Sequence, residues 1–161
     1  MKVEIESNRI NIGENSLEYY AYYFAIWADH NKFDHRQIVR NALSQWAAAL
    51  SALASGLYPA VYLPYNLEDQ DCKFLKAEID GEDIILTDLL VRDDGYAMDL
   101  DDLSDRIYSA PEIIMNFTDI NGKEHDTSPK FFGRYKAKEL IQALNDAKFS
   151  DTAMETDFHW Q

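Results

Sequence analysis

Residues 35–55, HRQIVRNALSQWAAALSALAS, constrain the fold of this chain more than any other stretch. Val39, Leu43, Trp46, Leu50 and Leu53 recur at alternating steps of four and three, the spacing of one apolar helix face. Gln37, Ser44 and Ser51 fall on another face, with Asn41 and Gln45 beside it. Asp34 stands where an N-terminal cap is wanted and Gly56 where a helix usually ends. The spacing predicts a central helix that must be covered by other elements.

A second helix is expected before it. Asn15 or Ser16 is placed to cap LEYYAYYFAIWADHN, in which Leu17, Tyr20, Phe24 and Trp27 follow helical spacing, and Tyr19, Tyr23 and Ile26 widen the apolar face. HNKFD is a connection short enough for antiparallel neighbours, so the two helices read as a hairpin. Upstream, Val3 and Ile5 alternate with Lys2, Glu4 and Glu6, the period of a strand with one buried face; Ser7-Asn8 either turns this strand or interrupts it.

After Gly56 the pattern changes to strands and turns. Pro59 and Pro64 make Leu57 to Tyr65 an extended crossing or an edge strand. Asn66 to Asp71 reads as a loop. Lys73 to Ile79 and Ile84 to Val91 flank a two-residue turn signal around Gly81 and form the clearest hairpin. Arg92 to Gly95 reads as a turn, followed by a short acidic helix, DLDDLSDRIYSA, that Pro111 ends. Glu112 to Asp119 reads as a strand leading into the turn dipeptide Asn121-Gly122. A helix is expected from Ser128 or Gly133 to Phe149, burying Ala137, Leu140, Ile141 and Leu144. Residues 1–161 read as a single domain with residues 151–161 as a candidate tail. The order predicts an α+β fold: an N-terminal helical hairpin and a C-terminal helix packed on an antiparallel β-sheet.

Composition bears on compartment and partners. A lone cysteine, Cys72, excludes an intramolecular disulfide and favours a reducing compartment. The opening KVEIESNRINI lacks a basic start and a leucine run, so no secretory signal is expected, and no apolar stretch is long enough to span a bilayer. The expected location is the cytoplasm. Formal charge is −14, and between Asn66 and Arg106 there are 14 Asp and Glu residues against four Lys and Arg residues. Such a field repels nucleic-acid phosphates and anionic lipid and steers a basic partner. The structural reading of the same charge is a well-solvated surface.

Catalytic patterns are sparse. No glycine-rich phosphate loop, nucleophile elbow or zinc-protease histidine pair occurs. His30 and His35 are turn histidines without a ligand spacing, and Cys72 lacks the local signature of a nucleophile and reads as a buried thiol. Asp93, Asp94, Asp99, Asp101, Asp102 and Asp105 are candidates for a hard cation or acid–base work, but the calcium-loop order fails: counting back from Gly95 puts Leu90 first and Arg92 third. Asp101 and Asp102 have a simpler use as negative groups at a helix start. No cofactor is implied and no enzymatic activity is expected.

A hydrophobic helix pair, then YLPYNLEDQDCKFLKAEIDGEDIIL, then an acidic loop and strand resembles the small acidic immunity proteins of bacterial polymorphic-toxin and contact-dependent growth-inhibition systems. Leu63-Pro64-Tyr65, Asp69 and the strand with its Asp80-Gly81 turn carry the resemblance, over about a sixth of the chain. It implies tight binding of one cognate toxin domain, often a nuclease, by blocking its active site or a nearby surface; the physics runs the same way, since a nuclease is basic where it holds phosphate and carboxylates can occlude that surface. The candidate contact residues are Glu68, Asp69, Asp71, Asp80, Glu82, Asp83, Asp93, Asp94, Asp99, Asp101, Asp102 and Asp105. Another acidic adaptor, or a small enzyme or ligand-binding domain, remains open as an alternative.

Overall fold

The expected central helix is present as α1, His35–Ala54, in a computed structural model that describes residues 1–6, 9–19, 35–66, 71–92 and 105–149. All five residues of its stripe are buried, and Ala42, Ala47 and Ala49 widen the buried face. Their small side chains let neighbouring elements approach closely. The helix ends as Gly56 predicts: Gly56 N–H donates to the Leu53 carbonyl and Leu57 N–H to the Ala52 carbonyl, the paired bonds of a Schellman motif. Asp34, the expected cap, lies outside the described residues.

The expected fold class is corrected: among the described residues there is no N-terminal helical hairpin, and the stretch expected to open its first helix is a strand. The described residues carry eleven strands, from β1 to β11, and two principal helices. β1 (Val3–Glu6), β2 (Arg9–Ile12) and β3 (Asn15–Glu18) form an antiparallel meander. Asn15 and Ser16, read as a helix cap, pair instead with Ile12 and Asn11. The deciding feature is Gly13, whose φ of 60° is a left-handed conformation that suits the two-residue Gly13-Glu14 connection between β2 and β3. Leu17 and Tyr19 are buried while Ser16 and Glu18 are exposed, a period of two. The rest of the expected first helix, including Tyr20, Phe24 and Trp27, and the HNKFD connection lie outside the described residues.

The second sheet is built on β5 (Asp71–Asp80) and β6 (Asp83–Arg92), paired along their whole length as the Gly81 turn predicts. β4 (Val61–Asn66) lies at its edge, where Pro64 removes no ladder donor the sheet needs, and the pairing shifts register just after that proline. β10 (Lys130–Lys136) and the short β7 (Glu112–Ile113) pair with opposite ends of β6. Register places Val61, Leu63, Leu75, Ala77, Ile84 and Leu86 on one face and Cys72, Phe74, Leu89 and Val91 on the other, and all ten are buried. A third, two-stranded sheet joins β8 (Asn116–Thr118) to β9 (Glu124–Asp126).

The expected C-terminal helix is also shorter and later. α2 spans Ala137–Asn145, preceded by β10 and followed by β11 (Lys148–Phe149), which pairs parallel to β1. Among the described residues the sheets are therefore three, and one is mixed rather than antiparallel. Gly133 sits inside β10 because Tyr135 folds back along the strand over it: a Cβ there would collide with the phenol ring. The Tyr135 hydroxyl then meets the first sheet, accepting from Asn15 Nδ2 at 2.8 Å and donating to the Ile12 carbonyl at 3.3 Å. At nine residues α2 is too short to hold alone; it buries Ala137, Leu140, Ala143 and Leu144 and packs against α1.

Candidate partner-binding surface

Three of the twelve acidic candidates come together, at the β5–β6 turn. Asp80, Glu82 and Asp83 surround Gly81, but two of them are already paired: Arg134 Nη2 is 2.9 Å from Asp80 and its Nε 2.7 Å from Asp83, while Lys136 Nζ is 3.2 Å from Asp83. The Arg134 hydrogen bond, reinforced by Lys136, holds the Asp83 carboxyl below the usual carboxylate range. Glu82 remains exposed, and its carbonyl accepts the Ala137 N–H that opens α2. This cluster ties β10 and α2 to the hairpin.

Asp71 lies at the other end of the same hairpin, opposite Arg92; nine residue steps of strand put it about 30 Å from the turn. The described acidic candidates of the hairpin are thus divided between its two ends. Asp105 is exposed and lies in the helical residues 105–107, where its carbonyl accepts from Tyr108 N–H and Ser109 Oγ. Glu68, Asp69, Asp93, Asp94, Asp99, Asp101 and Asp102 lie outside the described residues, as do the 93–95 turn and most of the acidic helix.

A surface that the sequence reading did not select stands out on the β8–β9 hairpin. Its base is fastened to the main sheet: Ile114 N–H donates to the Leu90 carbonyl, and Thr127 donates through N–H to Met115 and through Oγ1 to Ile114. Beyond the base it carries exposed apolar side chains, with Met115 at 50%, Phe117 at 39% and Ile120 at 101% relative exposure. Glu112, Asp119, Glu124 and Asp126 supply the acidic charge of this stretch, against Lys123 within it and Lys130, which acts on Asp126.

Asp119 organises the tip. Its Oδ1 accepts the N–H groups of Asn121 and Lys123, both at 2.9 Å, and His125 Nε2 donates to Oδ2 at 2.9 Å. Gly122, with φ 79°, takes the left-handed position that the Asn-Gly signal anticipates, and its N–H closes the turn on the Asp119 carbonyl. The His125 ring is stacked on Phe117, with centroids 5.3 Å apart. Ile120 is therefore displayed by a hydrogen-bonded turn, a preorganised apolar tip between acidic groups.

The carboxyl of Asp119 is held below its usual range, first by His125 and then by the Lys123 and Asn121 N–H groups. Because the folded value lies below the unfolded one, near 3.8, the stabilisation is complete above that pH and is lost as pH falls through the lower folded value. Below about pH 5 the amide resonances of Asn121 and Lys123 are expected to move together as the Asp119 carboxyl is protonated, with a midpoint below 3.8. An Asp119→Ala variant should show no such transition, and a midpoint at or above 3.8 would contradict the assignment.

Tyr65 on β4 donates to Asp88 on β6 at 2.6 Å, spanning β5 between them. Burial raises both pKa values, and for Asp88 the Tyr65 hydrogen bond, Lys73 and Lys130 oppose it. The pair supplies a cross-sheet tie, since the phenol proton is committed to the carboxylate. Cys72 is fully buried. Among the described residues no cluster of three or more His, Cys, Asp or Glu is placed to hold a metal ion, and no described helix is long and apolar enough to cross a membrane. Comparison with protein-family models, curated proteins and solved structures finds no match.

Proposed function

We propose that the chain is a protein-binding inhibitor, an immunity protein that neutralises a cognate bacterial toxin domain in the cytoplasm without catalysing a reaction. The observation that carries this reading is Ile120, fully exposed at the tip of a turn that Asp119 holds rigid. A large aliphatic group in that position costs solubility and contributes nothing to the core, whereas at an interface it is an anchor. The acidic groups around it suit a partner with a basic surface, such as a nuclease domain that holds phosphate.

The experiment is affinity capture from the native cell, identification of the bound protein by mass spectrometry, and co-expression of the two. A captured domain that arrests growth alone, and fails to do so when this chain is present, supports the reading. A captured partner without toxicity, or toxicity that this chain leaves unchanged, refutes it.

A further inference from the structure

A second surface has the opposite sign. An open groove of about 1350 Å³ lies between the amino end of β1, α1, α2 and β11. Lys2, Arg36, Arg40, Lys138 and Lys148 line it, against three acidic residues, in a chain whose formal charge is −14. Cations in so acidic a protein would be expected to pair with the abundant carboxylates. Among the described residues, none of these five is within ion-pair distance of one.

The two arginines are held together. Arg36 and Arg40, one helical turn apart on α1, both lie over the Phe149 ring, with guanidinium carbons 4.5 and 5.2 Å from its centroid. Contact with one ring holds two like charges within reach of each other, a repulsion that a bound anion would relieve. Arg36 Nε is in addition buried with no hydrogen-bond partner, although a guanidinium normally satisfies its donors. Both facts describe a site shaped for oxygen anions.

We infer that this groove binds an acidic peptide segment of a protein partner. The cations come from four separate stretches of chain and are spread along an opening larger than the roughly 300–1000 Å³ of typical small-ligand pockets, so they suit several carboxylates in a row rather than one compact anion. Charge complementarity sets the occupant: the rest of the acidic surface repels such a segment, and the groove selects it. This inference is independent of the toxin-neutralising reading, which concerns the β8–β9 hairpin.

The test is fluorescence anisotropy with a fluorescein-labelled hexaglutamate peptide and the full chain. Binding is expected, and it should weaken steeply with salt. Arg36→Gln with Arg40→Gln should weaken it at least about tenfold, whereas Lys76→Gln, outside the groove, should leave it unchanged. Lys138→Glu with Lys148→Glu, at exposed positions away from the core, should weaken it similarly with an unaltered circular dichroism spectrum, separating loss of binding from loss of fold. No binding, binding indifferent to both pairs of substitutions, or displacement by ATP at lower concentration than by unlabelled peptide would each overturn the proposal.

Discussion

Leu50→Ala is expected to lower the stability of the protein by roughly 2–5 kcal/mol, the range found when a fully buried leucine is truncated and its surroundings relax only in part. Leu50 has no exposed surface and sits on α1 between Trp46 and Leu53, themselves 1% and 2% exposed. Trp46 is in turn fixed by an edge-on contact with Tyr19, whose ring centroid is 6.2 Å away, so α1 and the strand after Gly13 share one packing unit. Such a unit has little freedom to close over a cavity, which argues for the upper part of the range. Urea denaturation followed by circular dichroism measures the effect as a fall in midpoint at unchanged slope. Ser44→Ala, on the exposed face of the same helix, should stay within about 0.5 kcal/mol of the parent. Equal midpoints for Leu50→Ala and the parent would refute the buried-face assignment of α1.

Where several local signals agree, the sequence was legible. The α1 stripe, the Gly56 stop, the turn at Gly81 and the edge position of the Pro64 strand all rest on backbone rules that act within a few residues. The failures have equally local causes. Leu17 satisfies both a helical series with Tyr20 and Phe24 and a strand series with Tyr19, and only the Gly13 turn, which pulls Asn15 back onto Ile12, decides between them. β10 was hidden by Gly133, which normally weakens a strand and is tolerated here because the Tyr135 ring fills the place of its missing side chain.

The sites were less legible than the fold. Counting charge from Asn66 to Arg106 finds acidity but not the separation of Asp71 from the Asp80–Asp83 turn by the length of a ten-residue strand, nor the pairing of Asp80 and Asp83 with Arg134. Ile120 did leave a signal, an aliphatic residue between Asp119 and the Asn121-Gly122 turn where polar residues are the rule. The groove left none. Lys2, Arg36, Lys138 and Lys148 meet only through the parallel pairing of β11 with β1 and the packing of α2 on α1.

The partner surface makes a kinetic prediction that separates its two components. If Ile120 is the anchor, Ile120→Asp should remove at least about 2 kcal/mol of binding free energy, roughly a thirtyfold weaker Kd, and should do so mainly by speeding dissociation, because a buried apolar contact forms after encounter. If Glu112 and Glu124 steer a basic partner, Glu112→Lys with Glu124→Lys should instead slow association by about tenfold or more at low salt, with little change in dissociation, and should flatten its salt dependence. Both glutamates are exposed, so the fold should be unaffected. Surface plasmon resonance against the captured partner at two salt concentrations distinguishes the two effects. An association rate indifferent to salt and to charge reversal would remove the electrostatic component and leave the hairpin as an apolar anchor alone. A dissociation rate unchanged by Ile120→Asp would move the interface off the hairpin, whatever the charges do.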